Sequence, residues 1–75
     1  MDFCYDSRYI IFVNNNYYVA KYTGYSYGNY KFKAVSPTSD ELYNYSSSYD
    51  LCTKGVGRTL KIDDSDIESA YITEI

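Results

Sequence analysis

Four carboxylates fall within six residues, at Asp63, Asp64, Asp66 and Glu68. Grouped carboxylate oxygens are what hard cations such as Ca²⁺ and Mg²⁺ take as ligands. The spacing departs from a calcium loop, because Ile67 and Glu68 follow Asp66 and no glycine supplies the turn. A solvated turn is therefore expected here, and no metal or other cofactor is assigned. Together with Asp40, Glu41 and Asp50, the same acids offer a different chemistry. They can imitate a phosphate track for a partner whose Lys and Arg groove handles nucleic acid.

The second chemical signal is the tract from Lys21 to Lys33. Tyr22, Tyr25, Tyr27, Tyr30 and Phe32 interleave there with Lys21, Lys31 and Lys33, and no acid intervenes. Rings that stack on bases at about 1–3 kcal/mol each, with cations along the phosphates, are how single-stranded nucleic acid is held. Two considerations weigh against that use. Tyrosines at alternating strand positions are ordinary cross-strand packing residues. The chain is also acidic, with a formal net charge of −3, whereas nucleic-acid domains are usually basic. A protein-binding face with tyrosine anchors accounts for the same residues without that conflict.

Catalysis has few means. Histidine is absent, which removes the commonest general base and zinc ligand. Cys4 and Cys52 have no histidine to hold a thiolate. Gly55-Val56-Gly57-Arg58-Thr59-Leu60 lacks both the Lys-Ser/Thr of a phosphate loop and the third glycine of a dinucleotide fingerprint, so a β turn is expected. The expectation is a protein that binds and is not an enzyme.

The elements that must position these residues are mostly strands. Tyr9 to Val13 is a β-branched and aromatic run, Asn14-Asn15-Asn16 reads as a hairpin loop, and Tyr17 to Tyr22 returns. Tyr25-Ser26-Tyr27, between glycines, is a turn or an irregular strand. Tyr30 to Val35 alternates, with Tyr30, Phe32 and Ala34 on one face and Lys31 and Lys33 on a wet one. Thr38 or Ser39 can cap a helix with Asp40 and Glu41 in its first turn. Leu42, Tyr45, Tyr49 and Cys52 then recur at helical spacing, but Ser46-Ser47-Ser48 is a poor helix interior. Both a helix and a loop stay open for 39–50. Thr59 to Ile62 alternates again. Ser65-x-x-Glu68 fits a capping box for one helical turn, and a last strand is expected near Ala70 to Thr73.

These signals predict one compact domain over 1–75, mainly β or α+β. The expected form is a small curled antiparallel sheet or an SH3- or OB-like barrel of four to five strands, with one or two short helical turns. Twelve tyrosines cannot all enter so small a core, so several must face solvent. Charge is split along the chain: residues 7–39 carry +4 and residues 40–75 carry −5. No apolar run approaches the roughly 20 residues that span a bilayer, and nothing at Met1-Asp2-Phe3 reads as a targeting signal. A cytoplasmic protein with two reduced thiols and no membrane partner is expected; self-association stays open.

In size, acidity and richness in Tyr, Asn and Ser, the whole chain resembles small phage- or mobile-element-encoded inhibitors of host machinery, anti-CRISPR proteins among them. No motif carries the resemblance and it assigns no family. It implies a docking inhibitor of a larger host protein or complex, in the host cytoplasm. The expected contacts are the acids Asp40, Glu41, Asp50, Asp63, Asp64, Asp66 and Glu68, or the set Lys21, Tyr22, Tyr25, Tyr27, Tyr30, Lys31 and Lys33. The alternative is a small barrel that binds single-stranded nucleic acid or a nucleotide by tyrosine stacking.

Overall fold

The structure is a computed structural model and describes residues 2–75. Strands β1 (Arg8–Val13) and β2 (Asn16–Ser26) form the expected hairpin. Asn14 and Asn15 turn it with φ of 53° and 62°, the paired left-handed angles whose twist matches that of a hairpin. Asn16, expected in the loop, pairs with Val13 instead.

β2 outruns β1 and bends at a bulge, where Tyr22 faces Phe32, Gly24 faces Lys31, and Thr23 is the extra residue. Gly24 has a φ of 138° and lies under the Tyr5 ring, a backbone angle that side chains rarely adopt. Tyr25 and Ser26 therefore continue the strand. Tyr27 and Gly28 turn the chain into β3 (Asn29–Ala34), and β4 (Thr59–Asp63) pairs with β3. The last strand, β5 (Tyr71–Glu74), pairs with β1.

The strand order is β4-β3-β2-β1-β5, antiparallel throughout. β4 and β5 occupy opposite edges, and no pairing between them closes a barrel. The barrel alternative is thereby corrected to an open, curled sheet. The short link 64–70 still joins the two edges, and it does so by crossing one face and burying Ile67 there. Tight turns such as Asp66 N–H to the Asp63 carbonyl (2.8 Å) and Ser69 N–H to the Asp66 carbonyl (3.1 Å) build the link. The Ser65 capping motif starts no α-helix.

The face under Ile67 is the main core. Tyr9, Ile11, Tyr18, Phe32, Leu60 and Ile62 alternate into it from four strands. Phe3 closes it from the chain's start, with its ring centroid 5.2–5.6 Å from those of Tyr9, Tyr22, Tyr30 and Phe32. The other face buries Ile10 and Val19 beneath Leu51, Tyr45 and Tyr49.

The helix α1 (Ser39–Tyr45) has Thr38 as its cap. Glu41 N–H donates to Thr38 Oγ1 at 3.1 Å, and Thr38 N–H donates to Glu41 Oε1 at 2.8 Å, which is a capping box. The helix ends where Ser46-Ser47-Ser48 begins, because serine hydroxyls compete for backbone groups. Leu42 is left exposed, while Tyr45 and Tyr49 still reach the Ile10 face. β3 stops at Ala34, so the edge of β2 beyond it would be bare. Val35 N–H to the Val19 carbonyl (2.9 Å) and Cys52 N–H to the Tyr17 carbonyl (2.7 Å) cover it. Cys4 and Cys52 are free thiols.

Candidate functional site

Directly opposed residues of an antiparallel pair project to the same face, so the register decides what the lysine tract becomes. Lys21 faces Lys33 across β2 and β3, and Lys31 faces Lys61 across β3 and β4. Lys31 and Lys33 are two residues apart and share that face. Four of the five lysines thus lie together on the outer face of three neighbouring strands. Arg8, opposite Lys21, extends the same row. Its guanidinium is taken by Glu41, through Nε–Oε2 at 2.5 Å and Nη2–Oε1 at 2.7 Å. Among the described residues, no lysine has a carboxylate within ion-pairing distance.

Like charges opposed in this way are destabilising, by roughly 0.2–1 kcal/mol per pair. The same strands bury Phe32 and Val19 completely, and each such side chain is worth about 1.5–3 kcal/mol. The core therefore carries the lysine face without difficulty. Lys61 was not among the residues singled out from sequence. Its alternation in Thr59-Leu60-Lys61-Ile62 signals a wet position, but the pairing that sets it beside Lys31 is a property of the register.

The aromatic residues of the tract part company with the lysines. Tyr22 is buried in the core. Tyr30 is half-buried on the core side, with the Tyr25 ring 4.7 Å away. The Tyr25 hydroxyl donates to Asp64 Oδ2 at 3.0 Å, and this hydrogen bond to a carboxylate raises its pKa, with smaller contributions from desolvation and nearby charge. Rings and amines consequently do not form one interleaved platform.

Tyr27 stands apart from both. It occupies the first turn position of the β2–β3 hairpin at a φ of 52° and is 97% exposed. The equivalent turn between β1 and β2 uses asparagines. A bulky residue at positive φ costs roughly 1–2 kcal/mol, and the Tyr27 ring touches no other aromatic ring among the described residues.

The acids divide into separate groups. Asp63 and Asp64 adjoin the hairpin tip: Asp63 pairs with Asn29, and Asp64 N–H donates to the Gly28 carbonyl at 2.8 Å. Asp66 and Glu68 follow on the exposed link. Asp40 and Glu41 lie past the other end of β3, about 20 Å away for a six-residue strand, and Asp50 is exposed beyond the helix. Among the described residues, no three His, Cys, Asp or Glu side chains come together as metal ligands would, and no pocket indents the surface. Among the described residues, no helix is long and apolar enough to cross a membrane.

One more surface feature lies toward β5. Phe12, Tyr17, Tyr49 and Tyr71 form a ring cluster with centroids 4.6–5.9 Å apart, and the Tyr49 and Tyr71 hydroxyls are hydrogen-bonded to each other. Phe12 and Tyr71 are exposed.

No protein-family model, curated protein or solved structure matches the chain.

Proposed function

We propose that this protein is a small, non-catalytic binding module that docks on a larger protein, with Tyr27 as its anchor. The observation that carries the reading is the placement of Tyr27: a 97% exposed aromatic held at positive φ on the tip of a hairpin. Asn29 Nδ2 donates to the Tyr27 carbonyl at 3.3 Å, but the Tyr27 ring itself packs on no other aromatic ring among the described residues. Aromatic side chains entering a partner's pocket are typical binding hot spots. Asp63 and Asp64 beside the tip give the anchor an anionic rim, which suits a pocket edged with Lys or Arg. The composition, rich in tyrosine and resembling small inhibitors from phages and mobile elements, supports a form in which docking blocks a host protein that handles nucleic acid.

The test is capture of a partner from nuclease-treated host lysate, then calorimetric titration of that purified partner with variants. Tyr27→Ala is expected to weaken binding by 2 kcal/mol or more, about 30-fold. Tyr43, 87% exposed but on the helix, is the control, and Tyr43→Ala should bind as the parent does. Equal affinity of the Tyr27 variant and the parent sinks the anchor; failure to recover any partner sinks the docking reading.

A further inference from the structure

We infer that the outer face of β2, β3 and β4 is a binding site for the phosphodiester backbone of a nucleic acid, contacted by Lys21, Lys31, Lys33 and Lys61. The site goes beyond the docking of Tyr27 and does not depend on it. It rests on two like-charged pairs set in direct register, Lys21 with Lys33 and Lys31 with Lys61. The face also bears Thr59 and Asn29, neutral groups able to donate hydrogen bonds. Asp63, opposite Asn29, closes it toward the hairpin tip, and the Arg8–Glu41 pair closes it at the other end. Between these limits no carboxylate among the described residues pairs with the four ammonium groups, although the chain as a whole is negative.

The dimensions and the chemistry select the ligand. Three strands about 4.8 Å apart and a two-residue step of about 7 Å give a compact patch of positive charge. Duplex DNA carries one charge per roughly 1.7 Å of axis, a density that isolated carboxylates on a folded protein do not approach. A single nucleic-acid segment can therefore satisfy all four lysines together and release its condensed counterions. The rings of the tract lie elsewhere, so the contacts go to phosphates and carry no base readout. Binding is predicted to be sequence-independent, weak and strongly salt-dependent.

Fluorescence anisotropy of a short labelled DNA duplex, titrated with the full chain between about 50 mM and 200 mM NaCl, tests the site. Four phosphate contacts predict a slope of log affinity against log salt near −3.6, a loss on the order of 100-fold across that range. Lys31→Gln and Lys61→Gln should each reduce the slope by about 0.9 and weaken all sequences alike. Both positions are on the wet face, and a melting curve of each variant checks that the fold is kept. An absence of binding at the lowest salt, or an unchanged slope in both variants, overturns the site. Equal affinity for a polyglutamate peptide overturns the nucleic-acid assignment in favour of an acidic protein surface.

Discussion

Arg8 at the head of β1 and Glu41 in the first turn of α1, 33 residues apart, meet through two hydrogen bonds of 2.5 and 2.7 Å. The same Glu41 carboxylate accepts the Thr38 N–H at 2.8 Å, and Arg8 also reaches the Ser36 carbonyl at 3.0 Å. One carboxylate thus caps the helix and ties it to the sheet. Since α1 has no fully buried residue, this junction and the half-buried Tyr45 hold it in place. It also removes Arg8 and Glu41 from both of the charged surfaces to which the sequence could have assigned them.

Acid should expose the contribution of that junction. The hydrogen bond from Arg8, reinforced by the Thr38 N–H and by charge, holds the Glu41 pKa below its ordinary value, with desolvation opposing. A carboxyl whose pKa is lower in the folded chain stabilises the fold above its unfolded value, about 4.3. That contribution disappears as pH falls through the folded value. Glu41→Gln is expected to cost about 1–2 kcal/mol at neutral pH, combining the ion pair with part of the cap. In urea titrations at a series of pH values, the parent and the variant should converge in acid. Curves that stay parallel to low pH would show that the pair contributes nothing.

Phe3 is the second point of dependence. It lies outside the sheet yet touches rings from three strands, Tyr9, Tyr22, Tyr30 and Phe32. Phe3→Ala should destabilise by about 3 kcal/mol, at the low end for a phenylalanine because the ring is half-buried. Denaturant midpoints measure this. A loss below about 0.5 kcal/mol, the scale of an ordinary surface change, would mean that the ring does not close the core.

Much of the fold was legible because its signals are local. Asparagines at left-handed turn positions, alternation in Tyr30-Lys31-Phe32-Lys33, and the Thr38 cap with Glu41 three residues later each fix structure within a few residues. The serine triplet accounted for both the short helix and the doubt about it. The bulge at Thr23–Gly24 was not legible, and it is what carries Tyr25 onto the core side, beside Tyr30. Ser65-x-x-Glu68 was read as a single helical turn, and the link does run in consecutive turns with bonds such as Ser69 N–H to the Asp66 carbonyl. Crossing the sheet to bury Ile67 leaves no room for a longer helix. The lysine face escaped for a different reason: Lys31 and Lys61 are opposed only through strand pairing, which joins residues 30 apart. Tyr27 was named as a contact from the sequence, but its positive φ emerges only when the turn type is known.

Relief of that φ gives a prediction independent of any partner. Asparagine tolerates the left-handed region where tyrosine does not, so Tyr27→Asn should raise stability by about 0.5–1 kcal/mol. Urea midpoints with an unchanged slope would establish it. A variant less stable than the parent would mean that the ring packs within the chain, and the case for an anchor would lose its basis.

The lysine face allows stability and binding to be set against each other. Lys33 faces Lys21 directly, so Lys33→Glu replaces a repulsion by an attraction and should stabilise the fold by about 0.5–1 kcal/mol. The gain is electrostatic and exposed, so it should shrink in about 1 M salt, where the screening length falls to about 3 Å. The same change should weaken duplex binding, because it removes one cation and adds an anion among the remaining three. A substitution that strengthens the fold while emptying the face would mark the opposed lysines as a binding feature that the core tolerates. Unchanged stability at low salt would show that the two side chains splay apart into solvent and do not interact, and the patch would then be less dense than its register implies.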